Sequence, residues 1–91
     1  MRKLHLPAVV PSEGARLLAR RICSAYRGDL PFASRCMQLP MTTLQYLVDG
    51  TLTPDEDLVR DIARATMHAI GGSAWRSPPL AGWLDTERGM A

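Results

Sequence analysis

The stretch that most constrains the fold of this chain runs from Leu30 to Gly50, LPFASRCMQLPMTTLQYLVDG. Its apolar residues recur at helical spacing in two segments, which a tight turn at Gln38 to Pro40 separates. Proline has no backbone donor to lose and a helix-like φ, so Pro40 indicates the start of the second helix, and Gly50 its end. The stretch therefore predicts two short helices at an angle, with Leu39 buried at their corner. The other expected core positions are Ala33, Met37, Leu44 and Leu47.

A longer helix is predicted before this pair. Ser12 is a good N-cap, Glu13 complements the helix dipole in the first turn, and Arg27-Gly28-Asp29 indicates the exit. Its apolar face contains Ala15, Leu18, Ile22, Ala25 and Tyr26. Its opposite face is basic and contains Arg16, Arg20, Arg21 and Arg27. At the start of the pair itself, we expect Leu30 and Phe32 to anchor the core.

A fourth helix is predicted after the pair. Thr53 has the properties of an N-cap, Pro54 suits the first helical position, and Glu56 stands where a capping box places its carboxylate. A broad apolar face follows, and Gly71-Gly72 indicates the end.

At 91 residues, the chain is long enough for one modest core. We predict a compact all-α domain of four to five helices over residues 12–71, with an extended arm over 1–11 and a tail over 72–91. Pro7 and Pro11 exclude a helix in the arm, which the sequence allows to be loose, to pair across a dimer, or to cover the core.

The tail combines proline, glycine and both tryptophans of the chain. Aromatic side chains of this size bury a large apolar area when they dock. The tail therefore either covers the domain's own core or forms a dimer or partner contact. The residues that would make that contact are Trp75, Leu80, Trp83 and Leu84.

Several classes of protein are disfavoured. No apolar run approaches the length of a membrane span, and the N-terminal segment is too short and proline-broken for a secretory signal, so we expect a cytoplasmic protein. Cys23 and Cys36 lack ligand spacing, which favours reduced packing thiols and no metal. His5 and His68 stand in no catalytic motif, so we expect neither an enzyme nor a cofactor.

The charge distribution is uneven along the chain. Seven basic and two acidic residues lie up to Val48, a net charge of +5, whereas four basic and seven acidic residues follow, a net charge of −3. A positive first half suits a polyanionic partner, although arginines on an ordinary solvated helix face give the same pattern.

The order of these elements resembles the lambda-repressor-like (Cro/XRE-type) helix-turn-helix family over about residues 15–67. The resemblance rests on the joint spacing of Ala33-Ser34, Leu39, Leu44 with Leu47, Gly50, Pro54, and Ile62-Ala63. The family often has Gln and Glu where this chain has Leu30 and Val48.

The resemblance implies a sequence-specific transcriptional regulator that binds double-stranded DNA as a homodimer. The residues expected to read bases in the major groove are Met41, Thr42, Gln45 and Tyr46. The residues expected to contact phosphates are Arg16, Arg20, Arg27 and Arg35.

An alternative function is a protein-interaction module on the same scaffold, such as an adaptor, an antitoxin-like protein or a polymerase partner. The uncharged third helix, Leu30, Val48 and the tryptophan-bearing tail favour it.

Overall fold

Four α-helices and a short 3-10 helix make up the computed structural model, which describes residues 3–83. They are α1 (Glu13–Tyr26), α2 (Leu30–Met37), α3 (Met41–Asp49), α4 (Glu56–Ala65) and the 3-10 helix η1 (Gly72–Arg76). Over residues 3–83 there is no strand, only an isolated antiparallel bridge between Lys3 and Asp29. The prediction of an all-α domain is therefore confirmed.

The ends of α1 are those that the sequence predicted. The Ser12 hydroxyl accepts a hydrogen bond from the Ala15 amide at 3.1 Å, which satisfies one of the free donors of the first turn. At the other end, Arg27 and Gly28 both have positive φ, at 52° and 75°, and lead the chain sharply into α2. Ala25, predicted on the apolar face, is instead exposed.

The turn between α2 and α3 is fixed by hydrogen bonds as well as by packing. Ser34 on α2 donates its hydroxyl proton to the Leu39 carbonyl at 2.5 Å, and its own carbonyl accepts the Leu39 amide at 3.2 Å. Gln38 supplies the left-handed residue, with φ 58°, and Pro40 precedes α3. Leu39 is buried between them, so the two predicted short helices and the burial of Leu39 are confirmed.

Phe32 does not anchor the core as predicted. It is 43% exposed and packs edge-to-face on Tyr26, with ring centroids 5.4 Å apart. Its neighbours Leu30 and Ala33 fill the inward positions of α2, both fully buried, and so the helix turns Phe32 toward solvent.

Both ends of α4 differ from the prediction. Asp55, not Thr53, is the N-cap, because its carboxylate accepts the Leu58 amide at 2.8 Å and aspartate is the stronger capping residue. The helix ends at Ala65 rather than Gly71, since Met67 and His68 both adopt left-handed φ, at 55° and 64°.

The core is built around α1, which packs against α2, α3 and η1. The arm contributes Leu4 and Val10 to it, and the tail contributes Trp75 and Trp83. Leu30 and Val48 are also fully buried, so packing explains these two departures from the helix-turn-helix family pattern.

We predict that Gly14→Ala destabilises the domain. A Cβ atom added at Gly14 would clash with Cδ2 of Trp75, so the buried indole ring would have to shift from its packed position. Overpacking of this kind costs about 1–3 kcal/mol of unfolding free energy, measurable by urea denaturation. Gly71→Ala is the control, since nothing lies within 4 Å of the added atom. Equal stability of the two variants would contradict the packing.

The N-cap of α4 gives a second paired test. Asp55→Ala removes the acceptor for the Leu58 amide and is expected to cost about 1 kcal/mol of unfolding free energy. Thr53→Ala, at the position that the sequence favoured, should change stability by less than about 0.5 kcal/mol. The reverse order in thermal denaturation would restore Thr53 as the cap.

Candidate nucleic-acid interface

The outward face of α3 presents Thr42 and Tyr46, one helical turn apart. Thr42 is exposed and Tyr46 is 47% exposed, so both side chains are open to a partner. Met41 is half-buried and packs against the core at the start of the helix. All four predicted base-reading residues therefore lie on α3, and two of them, Thr42 and Tyr46, are exposed to solvent.

Gln45, the fourth, is bound by the N-terminal arm. Its Oε1 accepts the His5 amide at 2.8 Å, and its Nε2 donates to the His5 carbonyl at 2.8 Å. The side-chain amide thus pairs with the arm as a peptide group of a neighbouring strand would. Both polar ends of Gln45 are used within the chain.

The arm follows α3 along one flank. The Leu4 amide donates to the Gly28 carbonyl at 2.8 Å, at the α1–α2 turn. Pro11 meets Gly50 at the far end of α3, where an added Cβ atom would lie 2.8 Å from the proline ring. Among the three alternatives that the sequence left open, residues 3–11 take the role of a segment that covers the core.

The tail holds the arm from the other side. The indole Nε1 of Trp83 donates to the Pro7 carbonyl at 2.8 Å. Both tryptophans are buried in this chain's own core, whereas Leu80 is 81% exposed and remains open to a partner. Leu84 lies outside the described residues.

Arg20, Arg27 and Arg35 have the exposure that a phosphate contact needs. Arg20 lies on the solvent side of α1, Arg27 caps its C-terminus, and Arg35 stands in the last turn of α2. None of the three takes part in an ion pair within residues 3–83. Their charges are therefore not matched by a carboxylate of that region.

Arg16 is not exposed as these three arginines are, although the sequence predicted it on the basic face of α1. It is only 7% exposed, and its guanidinium donates to both carboxylate oxygens of Glu13, at 2.7 and 2.6 Å. The bond to Arg16 holds the pKa of the Glu13 carboxyl below its usual range, against the opposing effect of burial. Glu13 also accepts the Leu80 amide at 2.9 Å, so this buried pair ties the tail to α1.

The charges of α4 are organised differently. Arg60 lies 3.7 Å from Asp57, and Arg64 lies 3.9 Å from Asp61, each pair one helical turn apart and exposed. Such pairs contribute little stability, yet they neutralise the local field. The positive character of the first half is therefore not repeated on α4.

The sequence analysis did not identify the hydrogen-bond partners of two candidate residues, Arg16 and Gln45. Glu13 and Arg16 stand three residues apart on a helix, a spacing that indicates an ion pair. The sequence does not indicate that this pair is buried. The bond between His5 and Gln45 spans 40 residues and leaves no local pattern.

The cysteines differ from each other. Cys23 is buried, which raises the pKa of its thiol to about 11, as expected for a packing residue. Cys36 is exposed, so the packing role predicted for it is wrong. Residues 3–83 contain no cluster of His, Cys, Asp or Glu that would hold a metal ion. Within the same residues, no helix combines the length and apolar character needed to span a bilayer.

Comparison with protein-family models, curated proteins and solved structures gave no significant match.

We predict that Gln45→Ala releases the arm from α3. Both hydrogen bonds to His5 are lost, and hydrogen exchange of the His5 amide should accelerate about tenfold, as the loss of roughly 1.4 kcal/mol of local protection implies. Thr42→Ala, three residues away on the exposed face, is the matched control and should leave that exchange unchanged. If the His5 amide exchanges equally in the wild type and Gln45→Ala, the arm is not held by this side chain.

Proposed function

We propose that this chain is a lambda-repressor-like helix-turn-helix protein of the cytoplasm that binds duplex DNA and regulates transcription. The observation that carries the proposal is the α2–α3 pair, fixed at its turn by Ser34 and Leu39, with Thr42 and Tyr46 uncovered on α3. A helix held rigidly at such a corner can enter the major groove with its outward residues against the base edges.

The chemistry of the uncovered face suits base reading. The Thr42 hydroxyl serves donors and acceptors, and its methyl group suits the thymine methyl. Tyr46 adds a ring and a second hydroxyl, and Met41 adds apolar contact at the start of α3.

Gln45 has a different place in the proposal from the one that the family resemblance implied. It can pair with adenine only by giving up its two bonds to His5. We therefore assign base reading first to Thr42 and Tyr46, with Gln45 holding the arm beside them.

The electrostatic part of binding is assigned to Arg20, Arg27 and Arg35. These side chains are exposed and would position the domain on the phosphate backbone. A dimer with three contacts in each half would make about six, for which the slope of log affinity against log salt is about −5. Arg16 is left out because its guanidinium is already bound to Glu13.

A dimer is part of the proposal because a single recognition helix covers only a half-site. Within residues 3–83, Leu80 of the tail, at 81% exposure, and Val9 of the arm, at 75%, are large exposed apolar residues that a twin subunit would bury. The same two residues favour the second candidate, a protein-interaction module that binds a different protein there.

Selection from random duplexes tests the proposal. At about 50 mM salt, the purified protein should retain duplexes that share a two-fold symmetric sequence, and their affinity should fall steeply as salt is raised. Thr42→Ala should alter the selected sequence with little change in the salt slope. Arg35→Gln should weaken all duplexes alike and reduce the slope by about 2 in a dimer.

Arg60→Gln is the matched charge control, since Arg60 lies on α4 with Asp57 as its partner. It should change neither the selected sequence nor the slope. A folded protein that retains no duplex at this salt concentration would rule out DNA binding and leave the protein-interaction module. Retention without a shared sequence would remove the assigned reading role of Thr42 and Tyr46.

A further inference from the structure

A cleft of about 230 Å³ lies between the outer side of α1 and the segment that follows α4. Its lining residues are Leu17, Arg20, Arg21, Ser24, Ala69 and Ile70. The volume is below the 300–1,000 Å³ typical of pockets for drug-sized ligands, so an occupant must be small. The cleft is separate from the α3 face and from the arm.

One wall of the cleft carries positive charge without a matching carboxylate. Arg20 and Arg21 are adjacent on α1, and no ion pair within residues 3–83 includes either. Arg21 is half-buried, and its Nε is covered while having no hydrogen-bond partner in that region. A covered Nε–H without a partner is costly, and an anion beside the Arg21 guanidinium would supply an acceptor for its N–H groups.

Apart from Ser24, the rest of the cleft is aliphatic. Ile70, almost fully buried, forms the floor, and Leu17 and Ala69 stand beside it. An inorganic anion would leave this surface wet, whereas an anion with a short hydrocarbon chain would cover it.

The second wall is preformed. His68 and Met67, which lead into Ala69, hold left-handed φ, and the His68 amide donates to the Ala63 carbonyl of α4 at 2.6 Å. Thr66 adds a hydroxyl bond to the Ile62 carbonyl at 2.8 Å. These bonds fix the path of the segment, so ligand binding would not have to order it.

We propose that this cleft binds a small organic acid, whose carboxylate pairs with Arg21 and Arg20 and whose short aliphatic chain lies on Leu17, Ala69 and Ile70. Planar guanidinium matches a carboxylate with two parallel hydrogen bonds. Arg20 is shared with the proposed phosphate contacts, but the binding of an organic acid does not require DNA and is tested without it.

Hexanoate is the probe, titrated into the full chain at low salt and about pH 7, where its carboxylate is ionised. Saturable NMR shifts are expected for amides of residues 17–24 and 69–70, with a dissociation constant on the order of 1 mM for a ligand of this size. 1-Hexanol, which has the chain without the charge, and inorganic phosphate, which has the charge without the chain, should each bind at least about fivefold more weakly, since each supplies only half of the interaction.

Two variants and a control locate the site. Arg21→Gln should weaken hexanoate at least about tenfold, as expected for loss of a charge-assisted pair. Ala69→Leu, which fills the cleft and keeps both arginines, should weaken it likewise. Arg60→Gln on α4 should leave it unchanged.

The absence of saturable shifts with hexanoate would overturn the proposal. So would full binding by Arg21→Gln with an unchanged fold by circular dichroism. Equal affinity for phosphate would show a general anion patch, such as a DNA backbone contact, and would also overturn it.

Discussion

The packing of Trp75 on Gly14 is the contact on which the arrangement of the tail and the arm depends. Next to it, the Glu13 amide donates to the Ser77 carbonyl at 3.0 Å and the Glu13 carboxylate accepts Leu80, so the first turn of α1 holds the tail. The tail in turn holds the arm through Trp83, and the arm holds α3 through His5 and Gln45. Gly14 on α1 is therefore connected to the flank of α3 through this series of contacts and the intervening arm and tail.

This series decides which part of α3 is open. The α2–α3 corner fixes where the helix lies, through Ser34 and Leu39, but it does not decide what covers the helix. The arm takes the flank that carries Gln45 and leaves Thr42 and Tyr46 uncovered. The family resemblance begins near residue 15 and so contains no information about residues 3–11. For this reason it assigned Gln45 to base reading.

Local signals predicted α1 and α3 because Ser12 caps the first and Pro40 and Gly50 flank the second. They misplaced the N-cap of α4, because Thr53 and Asp55 are both good capping residues only two positions apart. Only the geometry of the chain decides between them. Periodicity also misplaced Phe32 and Arg16, since it marks a helix face without saying which neighbour covers it. For the candidate site, Thr42 and Tyr46 are exposed as predicted, whereas Met41 packs against the core and the long-range partner of Gln45 was missed.

The burial of Arg16 sharpens the electrostatic argument. A charge count along the chain includes every arginine of the first half in one positive surface. Arg16, however, is buried and its charge is neutralised by Glu13. On α4, Arg60 and Arg64 are likewise matched by carboxylates one turn away. The positive field that reaches solvent from the helices of the first half must then come from the exposed or half-buried arginines without such partners. These are Arg20, Arg21, Arg27 and Arg35. Because Arg20 and Arg21 also line the cleft beside Ile70, an anion held there would reduce the same field that a polyanion would meet.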